Sequence, residues 1–204
     1  MAPPPPTSAL LSADLTTINS TPPLSALPAN ISDATIPAQV IPRDVTVQIL
    51  DIRDIGHSVW TQIQDLEMEA RGETTAGRNE IVRVVDERDD ADGEDRFAAD
   101  SAPGGQTRGK GSVGPWKVLL QDAKGGLVYG FDGVGVQDGG KMGIGCKLLL
   151  KRGCRVDRGV VMLERETTVV LGGRIDELDR VWRSGRIARL KGLLAAGQDR
   201  DDAR

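Results

Sequence analysis

The chain has 204 residues, a formal net charge of −4 and six aromatic side chains: three Trp, one Tyr and two Phe. No apolar run approaches the ~18 residues of a membrane-spanning helix, which excludes that class. One histidine and two cysteines exclude a disulfide framework and a zinc site of ordinary ligand spacing.

Nine of the eleven prolines lie in the first 42 residues. Proline removes backbone donors and fixes φ, so residues 1–42 are expected to form a Pro-rich, largely disordered arm. This start has no basic region leading into an apolar core, which points to an intracellular chain with Cys146 and Cys154 as free thiols. Val45, Val47 and Ile49 then alternate with Thr46 and Gln48, the pattern of a half-buried strand over 44–52. Ser58 caps a predicted helix over 59–70 that carries Trp60, Ile63 and Leu66 on one face, and Gly72 stops it. Ile81-Val82-Arg83-Val84-Val85 is a short extended piece. The chain next turns acidic (Asp86, Glu87, Asp89, Asp90, Asp92) and then Gly-rich. It offers too little apolar surface there to offset chain entropy, so 86–115 is expected to be a disordered loop.

Strand signals resume at Trp116. Trp116, Val118 and Leu120 face one way and Lys117 and Gln121 the other. A hairpin turn over 122–126 leads into a return strand in which Leu127, Tyr129 and Phe131 share a face, expected to be core. A Gly-rich connection crosses from Gly133 to Gly145. Residues 147–156 read as one strand, turned at Asp157-Arg158-Gly159. Residues 160–163 and 167–171 read as one bent or broken strand. A helical stripe follows through Ile175, Leu178, Val181, Trp182, Leu190, Leu193 and Leu194, interrupted at Gly185; 197–204 is a charged tail.

The fold class is therefore mainly β: a five-stranded OB-fold barrel in an OB-fold domain over 43–196, with a long insertion at 53–115 between strands 1 and 2, and a C-terminal helix. The insertion costs only ~2 kcal/mol more closure entropy than a hairpin loop, but loops of this length are seldom carried without a use.

Few residues carry chemistry. Gly135 to Met142 nearly spells a phosphate-binding loop, but Met142 replaces the metal-holding Ser/Thr, and Gly143 and Gly145 spoil the helix that should follow. His57, the sole histidine, has no nucleophile or ligand partner at a recognised spacing. Nothing positions a general acid or base, so we expect no enzyme, no cofactor and no metal. From Lys141 to Lys191 there are thirteen Lys/Arg against six Asp/Glu, and Lys147, Lys151, Arg152, Arg155 and Arg158 are candidate phosphate contacts of the salt-dependent kind. With Tyr129 and Phe131 assigned to the core, few aromatics remain to stack bases, which favours protein partners.

Four segments, Leu119-Leu120-Gln121-Asp122-Ala123-Lys124-Gly125, Val128-Tyr129-Gly130-Phe131, Gly159-Val160-Val161-Met162-Leu163 and Val169-Val170-Leu171-Gly172-Gly173, resemble the OB-fold of the RecQ-mediated genome instability protein 1 family in its fungal form. Asn30-Ile31-Ser32-Asp33, Val47-Gln48-Ile49-Leu50-Asp51-Ile52, Arg71-Gly72-Glu73-Thr74-Thr75 and Ile81 to Val85 are similar to it too. The resemblance runs over about 30–196. It implies a nuclear, non-catalytic scaffold that binds a type IA topoisomerase III and works with a RecQ-family helicase to dissolve double Holliday junctions in DNA repair and recombination. It also implies that the insertion reaches the topoisomerase, with Trp60, Ile63, Leu66, Ile81, Val82, Val84 and Val85 as contacts, and that DNA is touched weakly or indirectly. The short N-terminal region and the missing second OB-fold depart from longer family members. The rival reading is a stand-alone OB-fold protein that binds single-stranded nucleic acid.

Overall fold

The structure is a computed structural model and describes residues 8–18, 23–72, 114–133, 136 and 142–202. Among these, eight strands form one sheet: β1 (Ala38–Val40), β2 (Val45–Asp54), β3 (Trp116–Asp122), β4 (Leu127–Asp132), β5 (Lys147–Leu150), β6 (Arg155–Asp157), β7 (Val160–Met162) and β8 (Thr168–Gly172). Their order is β1-β6-β7-β4-β3-β2-β5-β8.

That order bends the sheet. β5 and β6 are separated in sequence only by residues 151–154, yet they lie towards opposite ends of the hydrogen-bonded order. The sheet must curl to bring them together. β8 pairs with β5, and β7 pairs with β6. β5 and β6 are thus one bent strand, β7 and β8 another, and eight strands reduce to five plus β1. The expected continuous strand over 147–156 breaks at Gly153, whose φ of +89° suits glycine best. β7 runs parallel to β4, and β2 pairs with β3 and β5 at once. A register shift between Ile49 and Asp51 leaves Leu50 as an extra residue, the kind of bulge that lets a strand turn a barrel corner.

The interior is lined by Val45, Val47, Ile49, Val118, Leu120, Val128, Leu148, Leu150, Val156, Val161 and Leu163, all nearly or fully buried. Two readings change here. The first is the arm. Leu15 and Ile41 are fully buried and Ile31 nearly so, β1 pairs with β6, and the Leu27 N–H donates to the Asp122 carboxylate at 2.7 Å. Within 8–18 and 23–42 the chain is therefore part of the fold. Proline content measures lost donors, not lost apolar anchors, and the anchors decide.

The second is the face of β4. Val128, Gly130 and Asp132 point inward, while Leu127 and Tyr129 are about half exposed, at 49% and 48%. A Cβ at Gly130 would sit 2.9 Å from Val118 Cγ2 and 3.1 Å from Leu120 Cδ1. The barrel is too narrow there for any larger side chain, so the rings go outside.

Two helices close the chain, α3 (Asp176–Ser184) and α4 (Arg186–Asp202), meeting at Gly185 where the stripe is interrupted. Asp179 seats α3: its Oδ1 accepts the Ile144 N–H at 3.0 Å, and Arg183 Nε reaches its Oδ2 at 2.7 Å.

Candidate partner-binding surface at the root of the insertion

The chain leaves β2 through a tight turn built on Asp54. This buried carboxylate accepts the Gly56 and His57 N–H groups and meets His57 Nδ1 at 2.8 Å. Ser58 Oγ then accepts the Thr61 N–H at 3.0 Å and caps a helix, here α2 (Val59–Ala70), where the sequence placed it. The returning chain meets the departing one at this point. The Ile55 N–H donates to the Pro115 carbonyl at 3.0 Å, and a Cβ at Gly56 would lie 2.6 Å from the Gly114 carbonyl. The two ends are pinned in a neck that has no room for a side chain at Gly56.

Gln62 holds α2 to that neck. Its amide donates to the Asp54 carbonyl at 3.0 Å and to the His57 carbonyl at 2.9 Å, and the side chain is buried. The sequence reading missed Gln62, since a polar residue beside an apolar stripe gives no signal of its own. On the other side α2 packs against α4, joined by a 2.7 Å pair between Lys191 Nζ and Glu67 Oε1. A cleft between β2, α2 and α4 is lined by Asp51, Arg53, Gln62, Trp182, Arg186 and Leu193. Trp182 Nε1 donates to Asp51 Oδ1 at 2.6 Å, and the Arg186 and Arg189 guanidiniums lie over its ring at 5.6 and 5.3 Å. Burial holds the Arg186 pKa below its ordinary value, partly offset by Asp54 and Glu69.

The expected contact residues separate. Ile63 is 7% exposed and Leu66 is half-buried, whereas Trp60 is 56% exposed. At 100° per residue the buried Gln62 and Ile63 and the half-buried Val59 and Leu66 centre about 100° from Trp60, which turns the indole outward. Met68, also exposed, lies two turns further along the outer side, and Ile55 is exposed beside the neck. Ile81, Val82, Val84 and Val85 lie outside the described residues, as does the acidic run.

The basic candidates divide too. Lys151, Arg152, Arg155 and Arg158 are exposed along the β5–β6 bend and the β6–β7 turn. Arg155 is paired with Asp157 at 2.5 Å, and the Lys151 ammonium donates to the Glu166 carbonyl at 3.0 Å. Lys147 is a correction: it is fully buried, it donates to the Gly145 carbonyl at 2.7 Å, and burial pulls its pKa down. Its side chain lies with Gln48, its β2 partner, on the face away from the barrel core, where Asp14 and Leu15 meet Gln48, and it cannot reach a phosphate. Met142 packs against the core, so the phosphate-loop look-alike ends in a hydrophobic anchor.

The root of the insertion thus presents an exposed aromatic on a braced helix beside a pinned neck. A family model described as "RMI1, N-terminal OB-fold domain" matches residues 27–186. RecQ-mediated genome instability protein 1 of Schizosaccharomyces pombe is 31% identical over 159 residues, 76% of this chain and 66% of that protein. The match thus spans just under two thirds of that relative's length.

Proposed function

Given that this chain belongs to the RecQ-mediated genome instability protein 1 family, through its N-terminal OB-fold domain, we propose that it is a non-catalytic scaffold subunit. In this reading it binds a type IA topoisomerase III, works with a RecQ-family helicase in the nucleus, and helps dissolve double Holliday junctions during DNA repair and recombination. The observation that carries the reading is that the family match runs across the barrel, the neck and α2 as one stretch. The exposed Trp60 beside a neck held by Gly56 and Gln62 supports the insertion root as the contact region, with Ile81, Val82, Val84 and Val85 continuing it. An aromatic presented on a rigid helix loses little entropy on docking, as interface anchors require.

The test is capture of the cognate topoisomerase III and RecQ-family helicase by three forms: the intact chain, Trp60→Ala, and a chain with residues 73–113 replaced by a short Gly/Ser linker. The intact chain should retain topoisomerase, and both altered forms should retain at least tenfold less. No capture by the intact chain ends the scaffold reading. Equal capture by the linker form ends only the assignment of the insertion.

A further inference from the structure

The cleft between β2, α2 and α4 holds a set of charges that the scaffold reading does not use. Arg53 lines it from β2, and Arg186 and Arg189 line it from α4. The ion pairs of the described residues are made by other cations, and none involves these three guanidiniums. Asp51 lines the cleft too, but its Oδ1 is engaged by the Trp182 Nε1–H at 2.6 Å. Arg189 is anchored by a hydrogen bond from its Nη2 to the Trp182 carbonyl, and both α4 guanidiniums lie over the Trp182 ring. Burial disfavours the Arg186 cation, and Arg183 and Arg189 act in the same direction, against Asp54 and Glu69. A carboxylate brought in from outside would relieve both effects.

We propose that this cleft docks a segment of a partner protein that presents one Asp or Glu side chain between apolar residues. A guanidinium offers a fork of donors to a carboxylate, and one already held on an indole loses little freedom when it binds. Ile52 and Leu193 supply the apolar part of the lining and suit the flanking side chains. The surroundings favour a peptide over a nucleic acid. The α2 wall carries Asp65, Glu67 and Glu69 and no Lys or Arg over Val59–Ala70. A phosphate chain that used the arginines would run on against these acids, whereas a single carboxylate ends at the cations. At 100° per residue Gln62, which lines the cleft, lies about 200° around α2 from Trp60. The cleft and the exposed indole therefore belong to opposite sides of the helix, and the segment docked here comes from a second protein, not from the one that meets Trp60.

The experiment follows the indole N–H signals of the isotope-labelled full chain by NMR, with that of Trp182 assigned through Trp182→Phe. The probe is a capped peptide, Ala-Leu-Leu-Glu-Leu-Ala, beside its counterpart with Gln in place of Glu. The Glu peptide should shift the Trp182 signal saturably by about 10 mM, and the Gln peptide should bind about tenfold more weakly or not at all. Arg53→Gln and Arg186→Gln should each weaken the Glu peptide about tenfold. Lys124→Gln, an exposed change in the β3–β4 turn, should have no effect. Thermal melts of each variant exclude unfolding as the cause. Absence of a saturable shift overturns the proposal, and so does equal affinity for the two peptides or binding that Arg186→Gln leaves unchanged. An oligo-dT strand that shifts the same signal and displaces the peptide makes the cleft a nucleic-acid site instead. Arg186→Gln is expected to leave the capture of topoisomerase intact, so this proposal and the scaffold reading can fail separately. Loss of that capture would place the cleft inside the topoisomerase interface and end its assignment to a second partner.

Discussion

Single buried charges set how this fold responds to pH. For Asp179, burial alone would raise the carboxyl pKa. The Ile144 N–H, then Arg183 and Arg174, outweigh it and hold the group below its ordinary 3.8. A depressed folded value means that the stabilisation is present above the unfolded pKa and is lost as pH falls through the folded one. Asp179→Asn should therefore cost about 1–3 kcal/mol in denaturant melts at pH 7, and the gap to wild type should close well below pH 4. Lys147 works in the opposite range. Burial lowers its pKa from 10.5, while Asp14 and Cys146 partly restore it. The folded chain disfavours the ammonium, so its stability rises as pH climbs from the depressed value towards 10.5. Lys147→Met should be within ~1 kcal/mol of wild type at neutral pH. It should lack the alkaline gain, which is read from the difference between the two proteins so that the thiols cancel.

Elements were legible in the sequence where one local rule governed them. The Ser58 cap placed α2, and the alternation of Val45, Val47 and Ile49 placed β2. β4 shows where such rules stop. Three large apolar residues at alternate positions argue for an inward face, but the narrow interior at Gly130 does not admit them. The hairpin held the answer. Gln121 reads as outward, and its partner across the turn is Leu127, so Leu127, Tyr129 and Phe131 had to share its side. The packing of α2 was hidden because Gln62 works through carbonyls of residues before the helix. Gln62→Ala should leave the Asp54 and His57 carbonyls short of a donor and cost about 1–3 kcal/mol. Amide exchange should show the loss as faster exchange in α2, with β3 and β5 unchanged.

At the scale of the molecule, the barrel class could be read from strand spacing, but the count of pieces could not. The break between β7 and β8 falls where the sequence placed it, but the bend at residues 151–154 splits a stretch read as continuous, and the N-terminal segment adds β1 because Ile31 and Ile41 reach the core. Sequence spacing carries no record of which distant edge an anchor will find.

The neck has a consequence for how such chains can change. Asp54 faces Trp116 in the ladder and Ile55 is tied to Pro115, so the sheet registers only where the excursion departs and where it comes back. Whatever is spliced between those two posts leaves the wall behind them undisturbed.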